Sequence, residues 1–103
     1  MGRIEMNYQK AIQQAKKLED IAENLKRLAT SNMEDTLNSI AANWVSTNAD
    51  RFCAKGHSIQ HDVVTNANNI LITARNIRKV AKSIYDAEKA AEEIARKRTY
   101  MNE

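Results

Sequence analysis

Apolar residues recur every three or four positions through the first half of the chain, and charged or amide residues fill the places between them. This spacing puts the apolar side chains on one face of a helix. We expect one helix over about residues 5–43, roughly 55–60 Å long at the rise of an α-helix. Helix propensity is weakest at Thr30, Ser31 and Asn32, where a kink or break would fall. The stripe consists of Tyr8, Ala11, Ala15, Leu18, Ala22, Leu25, Ala29, Met33, Leu37, Ile40 and Trp44.

The second half repeats the pattern and predicts a helix over about residues 49–96, after a turn at 44–48 and before a flexible tail at 97–103. Two helices of matched length joined by a few residues fold back on each other. The predicted fold class is all-α, an antiparallel two-helix hairpin forming a single domain over residues 1–103. The second stripe consists of Phe52, Ile59, Val63, Ala67, Ile70, Ala74, Ile77, Ala81, Ile84 and Ala91.

Further apolar residues lie beside these two stripes. An isolated hairpin would leave them in water at about 25 cal/mol per Å² of apolar surface. A second hairpin would cover them and form a four-helix bundle, so we expect a homodimer or a heterodimer; the alternative is a bent hairpin that covers its own flanks. The candidate partner face is Ile21, Leu28, Val64 and Leu71, and other flanking residues are Cys53, Val80 and Ala87.

The central stretch NWVSTNADRF combines the only tryptophan and the only phenylalanine with short polar residues. Thr47 and Asp50 have the spacing of a capping box, in which a hydroxyl and a carboxylate satisfy free amides at a helix start. Trp44 would lie on the last turn of one helix and Phe52 on the first full turn of the other. We expect the two rings to face each other and close that end of the bundle.

Composition excludes several classes of protein. There is no proline and only one cysteine, so long helices are favoured and an internal disulfide framework is excluded. The N-terminus lacks the apolar core of a secretory signal peptide, and no apolar run is long enough for a membrane span. The net charge of +3 is too small and too dispersed to favour a nucleic-acid partner.

The sequence shows no pattern typical of catalysis or cofactor binding, and we expect no enzyme. Cys53, His57 and His61 recur every four residues, but three ligands along one helix span about 12 Å, too far to surround one zinc ion. The two histidines form at best a two-ligand surface site, and no metal site is predicted. Gly56 costs about 1 kcal/mol in an exposed helix, which a close helix approach would explain and a tolerated accident nearly as well.

The turn resembles that of the WXG (Trp-x-Gly) family, the small early-secreted-antigen-like helical proteins of type VII secretion in Gram-positive bacteria. The family pattern is W-x-G-x-A-A-x-x-F, and Trp44, Ala49 and Phe52 match it at the right spacing. Ser46 stands in place of the glycine and Asn48 in place of the first alanine. Because serine is less free to adopt positive φ, we expect the turn to be closed by capping.

The resemblance implies either export as a dimer, with itself or another WXG-like protein, or a chaperone role that targets a larger toxin through its helical N-terminal LXG domain. It also implies recognition by a secretion ATPase, and a cytoplasmic location before the chain is secreted or reaches the cell surface. The family's export signal is Tyr-x-x-x-Asp/Glu. Here Tyr85 precedes Glu88 by three positions, as Tyr100 precedes Glu103, so Tyr85 and Glu88 form an imperfect candidate export signal. The alternative function is a cytosolic helical adaptor or coiled-coil module unrelated to secretion.

Overall fold

The computed structural model describes residues 2–101, and within that range the chain is almost entirely helical, with no strand. Helix α1 spans Arg3–Arg27 and continues through a π-helical segment, Leu28–Met33, into helix α2, Glu34–Asn43. Helix α3 spans Thr47–Met101. The all-α fold class is therefore confirmed.

The helix bounds differ from the expected ones mainly at α3. This helix begins at Thr47, so residues 47 and 48 belong to it rather than to the turn. It also includes residues 97–101, which the sequence pattern assigned to a flexible tail, whereas residues 102–103 lie outside the described range. Within these last turns Arg96 donates to Glu93, and the Thr99 hydroxyl donates to the Ala95 carbonyl at 3.1 Å.

The π-helical segment falls where helix propensity is weakest along the first half. A π segment widens the helix by shifting its hydrogen bonds, and a side chain that bonds to the main chain favours such irregularity. The Thr30 hydroxyl donates to the Lys26 carbonyl at 2.7 Å, and the Thr36 hydroxyl to the Asn32 carbonyl at 2.9 Å. The expected break is thus a local change of helical geometry, and Met33 and Glu34 continue in helical conformation.

The chain divides into two compact units. The turn unit is Leu18–Ile72, and the terminal unit combines Met1–Lys17 with Thr73–Glu103. Each has a core made almost wholly of alanine. In the turn unit the buried residues are Ala22, Ala29, Leu37, Ala49 and Ala67, and in the terminal unit they are Ala15, Ala74 and Ala81.

The stripe expected on α3 is only partly buried. Its alanines at 67, 74 and 81 are buried as expected, but Phe52, Ile59 and Ile84 are exposed over more than half of their surface. Alanine lets two helices approach closely, so the larger side chains lie beside such a contact instead of within it. The most buried positions of α3 therefore follow its small residues, and its large apolar residues border them.

Gly56 is one of those small residues, and its place is explained by a close approach within the turn unit. A Cβ at this position would overlap Leu37 Cδ2 and lie 3.1 Å from Leu37 Cδ1. Leu37 is only 5% exposed, so its side chain has little room to move. Of the two explanations that the sequence left open, the structure favours the close approach.

Candidate interaction surfaces

The turn between α2 and α3 is closed by a serine cap. The Ser46 hydroxyl accepts a hydrogen bond from the Ala49 amide at 3.1 Å, and the Ser46 carbonyl accepts one from the Asp50 amide at 3.0 Å. This is the arrangement of a helix N-cap residue. No residue in the described part of the chain has positive φ, as expected for a turn in which serine replaces glycine.

The expected capping box of Thr47 and Asp50 is corrected by this geometry. Thr47 is already the first helical residue of α3, so the capping position belongs to the residue before it. Ser46 can take that position because Trp44, at the end of α2, is extended, with φ −134° and ψ 98°. The extended residue turns the chain away from α2 before the new helix begins.

Trp44 and Phe52 do not form the closed, buried end that the sequence predicted. Trp44 is 52% exposed and Phe52 54% exposed, and Val45 between them is almost fully exposed. Between residues 44 and 52 the buried side chain is that of Ala49, which is 1% exposed. The largest apolar side chains of the chain are left on its surface.

Phe52 belongs to an open apolar groove in the turn unit, which we call the turn groove. Its walls come from the π segment, α2 and the start of α3, and Gly56 lies along it. The groove has a volume of about 380 Å³ and is lined by Leu28, Asn32, Met33, Thr36, Leu37, Ile40, Phe52, Gly56 and Ile59.

The residues of the expected partner face are found in two different environments. Ile21 and Leu28 are about half exposed. Val64 and Leu71 are half-buried, as is Cys53. The three residues of α3 therefore lie closer to the core of the turn unit than the expected flank position.

Polar side chains of α3 bond to the main chain of the first half within the turn unit, a feature that the sequence analysis did not identify. Gln60 Nε2 donates to the Ala29 carbonyl at 2.7 Å and to Glu34 Oε2 at 2.6 Å. Cys53 Sγ donates to the Leu37 carbonyl at 3.7 Å. The sequence pattern carries no signal for this bond, because periodicity assigns an isolated amide to solvent.

The terminal unit contains the candidate export signal. The Tyr85 ring lies 4.8 Å from the Tyr8 ring, centre to centre and tilted by 40°, and Glu88 is half-buried three residues later. Such tilted aromatic pairs are favourable. Tyr85 therefore contributes to the packing of this unit. The second tyrosine of the imperfect pattern, Tyr100, precedes a glutamate that lies outside the described residues.

An ion pair adds to this packing. Lys89 Nζ lies 2.9 Å from Glu5 Oε1 and 3.2 Å from Glu92 Oε1. The hydrogen bond from Lys89 lowers the pKa of Glu5 below its ordinary value of 4.5. The bonds from Glu5 and then Glu92 raise the pKa of Lys89 above 10.5. Both groups are partly exposed, so solvent screens the pair and its contribution to stability is small.

A second apolar groove lies in the terminal unit, bordered by exposed Val80 and Ile84 together with half-buried Ile77 and Ala11. Val80 was one of the flanking residues that the sequence pattern left without cover, and it is 57% exposed. Ala87, its neighbour along α3, is exposed as well. Each unit therefore presents an apolar groove of its own.

The three candidate metal ligands, Cys53, His57 and His61, do not converge as a group. His57 and His61 are exposed, whereas Cys53 is half-buried and directed to the Leu37 carbonyl. Across residues 2–101, three or more His, Cys, Asp or Glu side chains nowhere come close enough together to hold a metal ion.

Comparison with protein-family models, with curated proteins and with solved structures finds no match. Within residues 2–101, no helix is both long and apolar enough to cross a membrane.

Proposed function

We propose that this chain is a small helical protein of type VII secretion, resembling the WXG family, whose helices pair with those of a partner. It is exported as a dimer with itself or a related protein, or it delivers a larger toxin by pairing with that toxin's helical N-terminal domain. The observation that carries this proposal is the exposed apolar turn groove, together with the half-exposed ring of Trp44 in the same unit.

The proposal includes a hairpin of antiparallel helices. Within the turn unit, Leu37 bonds to Cys53 and Ala29 bonds to Gln60, so residue numbers rise on one side as they fall on the other. Within the terminal unit, the pairs Glu5 with Lys89 and Tyr8 with Tyr85 follow the same rule. Opposite numbering of this kind supports antiparallel pairing in each unit.

The exposed residues support a helical partner in particular. The groove runs between helical segments and is lined mostly by apolar side chains, which an amphipathic helix fills with its own apolar face. Phe52 and Trp44 would then supply the large, partly exposed aromatic side chains that anchor many protein interfaces. In a four-helix bundle the partner contributes two such helices.

Co-expression tests the proposal. The tagged chain is produced with each protein encoded beside it, and recovery of a defined complex with a protein that has a helical N-terminal domain is the expected result. Phe52→Glu should reduce complex formation at least about tenfold, because a buried charge without a partner is costly. Ile72→Glu is the matched control, since Ile72 is exposed on the same helix and does not line the groove.

Equal binding by Phe52→Glu and the parent chain would contradict the role of the groove. Export into the medium tests the secretion step separately: removal of this chain should abolish export of the protein that it binds. Unchanged export would favour the alternative of a helical adaptor unrelated to secretion.

A further inference from the structure

His57 and His61 lie one turn apart on α3, and both are exposed. Residues four apart on a helix are neighbours, with about 5–6 Å between their Cβ atoms. Two imidazoles at that separation can bind the same metal ion, and water completes its coordination. Histidines with this spacing are common on helices. A metal site therefore needs further support, such as a hydrogen bond that fixes the tautomer and the orientation of a ring.

The hydrogen bonds of Gln60 determine which nitrogen of His57 carries the proton. The Ala29 carbonyl and the Glu34 carboxylate both require donors, so both face the amide nitrogen of Gln60, at 2.7 and 2.6 Å. An amide nitrogen has two hydrogens, and both are then engaged. Gln60 Oε1, 3.0 Å from His57 Nδ1, can only accept a bond, so Nδ1 must be the donor.

This assignment leaves the lone pair of His57 on Nε2. Histidines that bind metal commonly donate their other ring N–H to an oxygen, which holds the ring and selects the tautomer. Gln60 supplies that oxygen here, and its own orientation is held by two further bonds. His57 is thereby prepared as a ligand, with His61 beside it.

We propose that His57 Nε2 and one ring nitrogen of His61 bind a single divalent transition-metal ion of the kind that prefers imidazole, with Gln60 as a positioning residue. Cys53 is not a ligand, because its thiol is directed to the Leu37 carbonyl. The site is independent of the proposed secretion function. By clamping two successive turns of α3, the bound ion stabilises the helix beside the turn groove.

Calorimetric titration of the full chain with Cu²⁺, Ni²⁺ and Zn²⁺ tests the proposal. The expected result is one ion per chain, with affinity highest for Cu²⁺. His61→Ala should weaken binding at least about tenfold, and Gln60→Ala should weaken it by about tenfold through loss of the supporting bond. Asp62→Asn is the control, since it changes the adjacent charge and leaves both imidazoles in place.

Thermal unfolding gives a second readout. The ion should raise the melting temperature of the parent chain and leave that of His61→Ala unchanged, because an ion stabilises only the state that binds it. Circular dichroism verifies that Gln60→Ala remains helical before its affinity is interpreted. If the variant with both histidines replaced by alanine binds the ions as tightly as the parent, the proposed site is overturned.

Discussion

The turn unit and the terminal unit each have a core of alanines, but different contacts hold each unit together. In the turn unit, Gln60 and Cys53 bond to main-chain carbonyls of the first half, and Leu37 packs against Gly56. In the terminal unit, contacts between side chains include the tyrosine pair and the ion pair of Glu5 with Lys89. A bond to the main chain specifies the register of two segments more tightly than a pair of long, partly exposed side chains does. We therefore expect the turn unit to be the more stable of the two.

Leu37→Ala should have the largest effect. Leu37 is the one large side chain in the described core, and its removal leaves a cavity beside Gly56. The expected loss is about 2–5 kcal/mol, measured by urea unfolding. Ile84→Ala is the counterpart in the terminal unit, and because Ile84 is more than half exposed its loss should be much smaller. Equal losses would contradict the difference between the two units.

Gln60→Ala should rank second. The change removes the two part-buried bonds that Gln60 donates to the Ala29 carbonyl and to Glu34, and one such bond contributes about 0.5–1.5 kcal/mol, or more when the acceptor is charged. Amide hydrogen exchange should rise within Leu28–Met33 and remain unchanged in the terminal unit. Gln60→Glu is a stricter variant, because it keeps the shape of the side chain and cannot donate. If exchange in the π segment does not change in either variant, Gln60 does not hold that segment.

Gly56→Ala should destabilise the chain even though alanine is the better helix former. The added methyl overlaps Leu37, and overpacking costs about 1–3 kcal/mol, of which about 1 kcal/mol is recovered through helix propensity. The same change in a Leu37→Ala background should be neutral or stabilising, because the space is then free. Additive losses in the double variant would show that the two residues do not touch.

The ion pair of Glu5 with Lys89 should have the smallest effect, and one that salt removes. The pKa of Glu5 is lowered in the folded chain, so its contribution is present above 4.5 and is lost as the pH falls through the folded pKa. The pKa of Lys89 is raised, so its contribution is present below 10.5 and is lost as the pH rises through the folded pKa. In melting experiments at low salt, Glu5→Gln should abolish the fall in melting temperature that this pair causes as the pH is lowered. If the melting temperature of the variant falls as much as that of the parent chain, the fall has another source.

The sequence was sufficient to predict the helical fold and the place of the turn. Spacing alone predicted that the alanines at 67, 74 and 81 lie on the buried face of α3, and low helix propensity indicated the position of the π segment. Periodicity could not predict which face of α3 is most buried near the turn, because size decided it: Gly56 permits the close approach and Phe52 does not fit within it. The bond from Gln60 was also beyond a pattern that treats every amide as solvated.

The candidate site was predicted less well than the fold. The sequence identified Trp44 and Phe52 as the important pair but assigned them to the interior of the chain, since large rings usually lie there. It assigned the helix cap to Thr47 because the capping-box spacing begins there, whereas Ser46 performs that role. The error in the cap comes from the exact residue at which α3 begins.

Fluorescence of Trp44 tests the central claim most directly, because it is the only tryptophan of the chain and lies at the end of α2, in the same unit as the turn groove. In the dilute chain alone, its emission should resemble that of indole in water and be quenched freely by acrylamide, in keeping with a half-exposed ring. When a second copy or the helical domain of a toxin binds, the emission should shift to shorter wavelength and quenching should fall. A Trp44 that is equally quenched in the free chain and in the complex would show that the partner does not cover this surface, and would contradict the account.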